Sequence, residues 1–221
     1  MAFLIGKRET RRGSSRRSGF IHSVLSFTRL EIPVLEVFET AVAFAPGTDP
    51  VAAHGELAEV FGQKAGEGEF LFRADSSIDG RYWVQSAAPW TRWPSSALSA
   101  LEPKRSVIQL AEGLMYRFAL QVCAGRVKIA GNNKKIEPYA DRQDVEAWMR
   151  SNALRCGFTP LMLDVSMQAL RFVHRGQKVK IDYAQIEGAL EVAEPETLKY
   201  RLCRGFGHHR RAGLGLMHLM T

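Results

Sequence analysis

Two groups of residues in this chain have the types and spacing to do chemistry. The first is a single histidine, His54, in the segment DPVAAHGELAEVF (49–61). An imidazole titrates near pH ~6.5, so it can take and return a proton around neutrality. The second is the stretch RGFGHHRRAGLGLMHL (204–219), where Gly205, Gly207, Gly213 and Gly215 bracket His208, His209, Arg210 and Arg211. Glycine backbone can approach a ligand closely, and its amides can line a concavity for phosphate oxygens. Guanidinium groups pair with the same oxygens and can stabilise charge on a reacting phosphate. Proton transfer at such a phosphate needs a group that takes a proton from an attacking oxygen and gives one to a leaving oxygen. A histidine serves that transfer. Each feature also has a plainer reading. A lone helical histidine is often structural, and paired GxG elements often mark turns. The adjacent His208 and His209 can contact phosphate, bind a metal or be spare loop residues. A third metal ligand is missing from their neighbourhood, so no metal and no cofactor are expected.

Two more basic clusters accompany these groups. FVHRGQKVKI (172–181) carries His174, Arg175, Lys178 and Lys180 across a tight turn, either as an RNA-facing hairpin or as an ordinary solvated one. RVKIAGNNKKI (126–136) carries Arg126, Lys128, Lys134 and Lys135. Charge is gathered at the chain's ends. Residues 1–33 hold seven basic side chains against two acidic, and residues 199–221 hold five basic and no acidic ones. The chain as a whole is +7, so the stretch between is net acidic. Clustered Lys and Arg form a footprint for a polyanion, nucleic acid first, or else solvated basic tails.

The remaining composition sets bounds. With 221 residues, 46% of them hydrophobic, the chain can bury one sizeable core or two compact subdomains. No apolar run approaches the roughly 18–20 residues of a membrane span. Cys123, Cys156 and Cys203 are odd in number and match no zinc spacing, which suits buried thiols in a reducing, cytoplasmic compartment. The leader MAFLIGKRETRRGSSRRSGF has no hydrophobic period. It is either an organelle transit peptide or a flexible basic arm that orders on RNA.

The elements that must position these residues begin at residue 34. VLEVFETAVAFA (34–45) reads as a strand, followed by a helix capped by Thr48 or Asp49, with Pro50 in its first turn, that carries His54. GEFLFRA and RYWVQSA read as strands joined at Asp79-Gly80. PWTRWPSSALSALEPKRS (89–106) reads as a weak helix, and LMYRFALQVCA (114–124) as the strand that completes a first unit. The order then repeats loosely, with the amphipathic helix 141–158 (Val145, Trp148, Met149 and Leu154 inward), a long β region 167–192 turning at Arg175-Gly176-Gln177, a last helix to about Cys203, and a closing strand. Trp83, Trp90 and Trp93 can stack on bases or pack beneath a sheet. The expected fold is α+β, two tandem ferredoxin-like (RRM-like) units ending in a glycine-rich loop. The expected division is a basic extension 1–33, a first domain 34–125 and a second domain 126–221.

The pattern G-hydrophobic-G, basic insert, G-hydrophobic-G-hydrophobic in 204–219 resembles the C-terminal loop of the RAMP superfamily, in particular its CasE branch of CRISPR repeat-processing endoribonucleases (type I-E or a related type IV variant). The resemblance extends over about 34–221 through LMYRFALQVCAGRVKI, VEAWMRSNALRCGF, FVHRGQKVKI and IEGALEV. It implies a metal-independent endoribonuclease that cuts pre-crRNA at the base of its stem-loop and keeps the hairpin as a subunit of an interference complex. It also implies that DPVAAHGELAEVF is the helix bearing the catalytic histidine, His54. Val51 stands where some relatives carry a tyrosine, so no hydroxyl partner is assigned. A non-cleaving subunit that binds the crRNA hairpin is the alternative.

Overall fold

The computed structural model describes residues 32–61, 70–75, 77–90, 92–130 and 133–220. The expectation for the basic extension falls almost wholly outside them. Strand β1 (Val34–Ala43) opens the fold, with Leu35 and Val37 alternating into the core. Helix α1 (Pro50–Val60) starts at Asp49, whose carboxylate accepts the Val51 and Ala52 amides at 2.9 Å each. Pro50 lies in the first turn, where an amide would have no helical partner. Strands β2 (Phe70–Ala74) and β3 (Arg81–Ser86) return antiparallel, and β3 pairs with β1. Leu57, Phe70, Phe72, Tyr82 and Val84 pack between α1 and this sheet.

Among the described residues of 89–106 the expected helix is absent. The chain there forms β4 (Ser99–Ala100) and β5 (Lys104–Gln109), both hydrogen-bonded to the free edge of β1. Pro94 and Pro103 interrupt any helical run, and an open edge of β1 offers the backbone groups between and after them partners. The sheet therefore runs β2-β3-β1, with β5 and β4 one after the other along the last edge of β1. That is the ferredoxin-like order with one helix missing.

Strand β6 (Met115–Val122) departs from expectation in a second way. Both of its edges are taken by strands from the C-terminal half, so it opens the second unit and does not close the first. After it come the hairpin β7 (Gly125–Ala130) and β8 (Asn133–Pro138), helix α2 (Arg142–Ala153), and the long strands β9 (Phe158–His174) and β10 (Gln177–Val192). Helix α3 (Pro195–Arg204), a single 3₁₀ turn (Arg210–Ala212) and β11 (Met217–Met220) follow. The order β11-β6-β10-β9 with α2 and α3 is a complete β-α-β-β-α-β unit, into which β7–β8 is inserted. Phe118, Leu120, Met149, Phe158, Ile186 and Leu198 fill its core. Leu154, expected inward, is exposed because α2 ends at Ala153 and the chain tightens into a 3₁₀ turn. The fold is thus α+β, two tandem ferredoxin-like units with the glycine-rich loop between α3 and β11.

Candidate active site

His54 sits half-buried on α1 and rests on aromatic rings of β2, its ring centroid 5.3 Å from Phe70 and 5.8 Å from Phe72. Burial pushes its pKa below the ordinary histidine value, and the positive charge of Arg211 pushes it the same way. Both effects favour a neutral imidazole, the form that accepts a proton, at neutral pH. Arg211 comes from the 3₁₀ turn of the glycine-rich loop, which packs against α1. Residues more than 150 positions apart thus form one electrostatic pair.

The loop differs in detail from expectation. Three of its glycine amides are already used within the chain: Gly205 donates to the Arg201 carbonyl, Gly213 to Arg210 and Gly215 to Gln121 at 2.8, 3.0 and 2.6 Å. These amides do not line an open concavity for phosphate. The glycines serve close packing instead. A Cβ on Gly207 would lie 2.3 Å from Val122 Cγ2, and one on Gly215 would lie 2.4 Å from the Phe206 carbonyl oxygen. The His208 amide donates to the Cys123 carbonyl at 3.1 Å, stitching the loop to the end of β6. His209 takes a left-handed conformation, φ 58°, at the start of the turn, and its pKa is pushed down first by burial and then by His208. Arg210 and Arg211 then diverge. Arg210 donates to the Arg204 carbonyl at 2.5 Å, closing the end of α3, whereas Arg211 is the arginine that acts on His54.

A profile of the CRISPR associated protein family matches residues 29–220. The chain belongs to that family. No curated protein matches it. Among solved structures it is similar to CRISPR endoribonuclease Cse3 bound to a 19 nt RNA, with TM-score 0.69, 20% identity, and 84% of this chain and 100% of that one covered. It is also similar to the CRISPR-associated protein Cas6e from Escherichia coli K-12, with TM-score 0.64, 19% identity, and 83% and 98% covered. A chain of a CRISPR RNA-guided surveillance complex matches with TM-score 0.65, 15% identity, and 83% and 98% covered.

In this CRISPR associated protein the remaining basic residues divide by partner. The β9–β10 turn, with Arg175 at φ 50° and Gly176 at φ 77°, exposes Arg175 and Lys178. His174 is held back: its Nδ1 lies 3.2 Å from Asp49 Oδ1, the carboxylate that caps α1. The hairpin tip thereby reaches the helix that carries His54, and is not remote from it. Lys180 pairs with Asp182 at 2.9 Å and Lys128 with Glu137 at 2.7 Å. Arg126 lies over the Tyr139 ring at 5.3 Å. Lys135 is exposed opposite Lys128, and the Lys134 side chain is outside the described residues. A cavity of about 490 Å³ lies between the end of β8 and the β9–β10 hairpin, lined by Pro138 and Tyr139 on one side and by Arg171, Lys180 and Asp182 on the other.

Sequence reasoning missed Arg171 and the second role of Asp49. Arg171 was detectable, since it stands across from Lys180 in a hairpin centred on Arg175-Gly176. The Asp49–His174 contact spans 125 positions and has no local signal. The cysteines are as expected: Cys123 and Cys156 are buried and Cys203 half-buried. Burial pushes all three thiols up, that of Cys123 to about 11. Among the described residues no helix is long and apolar enough to cross a membrane.

Proposed function

We propose that this chain is an endoribonuclease that cuts CRISPR repeat RNA at the base of its stem-loop and retains the hairpin as a subunit of a crRNA-guided complex in the cytoplasm. The observation that carries this reading is a half-buried histidine, His54, whose pKa is lowered by burial and by Arg211 from the family's glycine-rich loop. Neutral His54 takes the proton of the 2′-hydroxyl. The 2′-oxygen bonds to the adjacent phosphorus, the bond to the 5′-oxygen breaks, and that oxygen takes a proton from solvent while His54 gives its own proton back to solvent. Arg211 faces the charge that builds on the phosphate. The products are a 2′,3′-cyclic phosphate and a 5′-hydroxyl, and no metal enters the step. The exposed Arg175 and Lys178, with Arg126, Arg171 and Lys135, supply the salt-sensitive grip on the stem and its base. The fold shared with an RNA-bound endoribonuclease and with a subunit of a surveillance complex supports the same reading.

The test is single-turnover cleavage of labelled repeat RNA by His54→Ala. The expected result is a loss of roughly 10²–10⁴ in rate with hairpin affinity near wild type, and wild-type cleavage that persists in EDTA. Undiminished cleavage by the variant, or a strict Mg²⁺ requirement, overturns the assignment. A second reading, a hairpin-binding subunit that does not cut, is favoured by Val51 standing where a tyrosine is expected. Tight hairpin binding by a wild-type chain that never cleaves would select it.

A further inference from the structure

Between the end of α2 and the glycine-rich loop lies a cleft of about 280 Å³ whose polar lining includes Asn152, Arg155, Arg201, His208 and Arg210, with Trp148 in its wall. No acidic side chain lines it. The Arg155 and Arg201 side chains have no hydrogen-bond or ion-pair partner among the described residues. Both line the cleft together with the buried Cys156, whose thiol pKa burial pushes up and their two positive charges draw down. Arg201 has a plainer role in the last turn of α3, where a cation suits the helix dipole. That role does not account for Arg155, an exposed arginine brought to the same cleft from another element. Like charges that line one cleft with no acidic residue in its lining repel each other, and a bound anion lowers that cost. Guanidinium groups match phosphate oxygens in a bidentate geometry, and an indole beside them offers a face on which a base can stack.

The loop relates this cleft to the site on α1. Arg211 acts on His54, whereas His208 and Arg210, from the same loop, line the cleft. We propose that the cleft is a second phosphate site, which holds the unpaired RNA strand adjoining the stem after it crosses the glycine-rich loop. This inference rests on the repeat-RNA reading above.

The test titrates the full chain and Arg155→Gln/Arg201→Gln with repeat hairpins carrying both flanks, the 5′ flank, the 3′ flank or neither, at low and near-physiological salt. The variant is expected to lose about fivefold or more in affinity for flanked RNA, with a log–log salt slope shallower by about 1.4, the value for two single-strand contacts. It should bind the bare stem as the wild type does. The single-flank RNA that shows the loss identifies which strand enters the cleft. Equal affinity for all four RNAs, or an equal loss on the bare stem, overturns the cleft while leaving the repeat-RNA reading in place. A wild-type chain that binds none of them overturns both. Should the double variant melt early, Arg155→Gln alone, on an exposed side chain, should give half of the slope change.

Discussion

His54 and Arg211 form a pair whose coupling can be read from the pH dependence of cleavage. The folded pKa of His54 lies below its ordinary value of 6.5, and a general base works only when deprotonated. The single-turnover rate should therefore hold level on lowering the pH past 6.5 and fall only as the pH drops through the depressed value. Arg211→Gln removes one of the two causes. Its acid limb should move toward higher pH, and its rate at saturating protein should drop, because charge on the phosphate loses its partner. Arg210→Gln acts differently. It gives up the hydrogen bond to the Arg204 carbonyl, which costs about 1 kcal/mol of stability, and leaves the pH profile where it was. Identical pH profiles for Arg211→Gln and wild type would sink the pairing. Sequence could not separate these neighbours, since both are arginines in one basic insert and only the 3₁₀ turn sends them apart.

The β9–β10 hairpin has two tasks that its sequence merges into one basic run. Arg175 and Lys178 are exposed at or beside its tip, while His174 is docked on the carboxylate that caps α1. Neutralising Arg175 and Lys178 should weaken stem-loop binding and flatten its salt dependence by about one unit per contact, with cleavage recovering at saturating protein. His174→Ala should instead lower the rate at saturation, because α1 loses its anchor and His54 rides on α1. Asp49→Asn keeps a competent cap but loses the charge, so a double-mutant cycle with His174→Ala isolates the contact. A thermal-stability coupling near ~0.5–1 kcal/mol is expected, and none would mean that the tip merely rests there. The hairpin itself was legible from strict alternation around Arg175-Gly176, as were α1 from Asp49-Pro50 and α2 from its apolar face. The helix expected in 89–106 was not, because the backbone partner that makes a strand of it, β1, lies about 70 residues earlier. Strand β6 carried no mark of its unit, since Phe118 and Leu120 would suit either sheet's core.

Across the whole chain, the joints between the units stayed hidden from sequence. Besides the apolar core that Leu35 and Val37 share with the second unit, those joints include polar pairs between distant segments: Asp49 with His174, and Glu39 on β1 with His218 on β11 at 3.2 Å. Glu39 also accepts a hydrogen bond from Ser106 on β5 at 2.7 Å. The His218 contact, against the opposing effect of burial and with help from Ser106, holds the Glu39 carboxyl below its ordinary pKa of 4.5. A carboxyl depressed on folding adds stability that is complete above its unfolded pKa and is lost as pH falls through the folded one. The charge of Glu39 should therefore stabilise the protein throughout the range above pH 4.5 and contribute nothing once both states are protonated. Glu39→Gln keeps the shape and the acceptor for Ser106 but carries no charge. In denaturant titrations the variant should unfold earlier than wild type at neutral pH, the two curves converging as the pH is lowered past the folded pKa. Because His218 belongs to the second unit and Glu39 to the first, loss of the pair should also loosen the joint between them. Amide exchange in β11 and β1 should then rise together at neutral pH, and a gap between the two proteins that stayed constant into acid would show that packing, and not this charge, holds the units together.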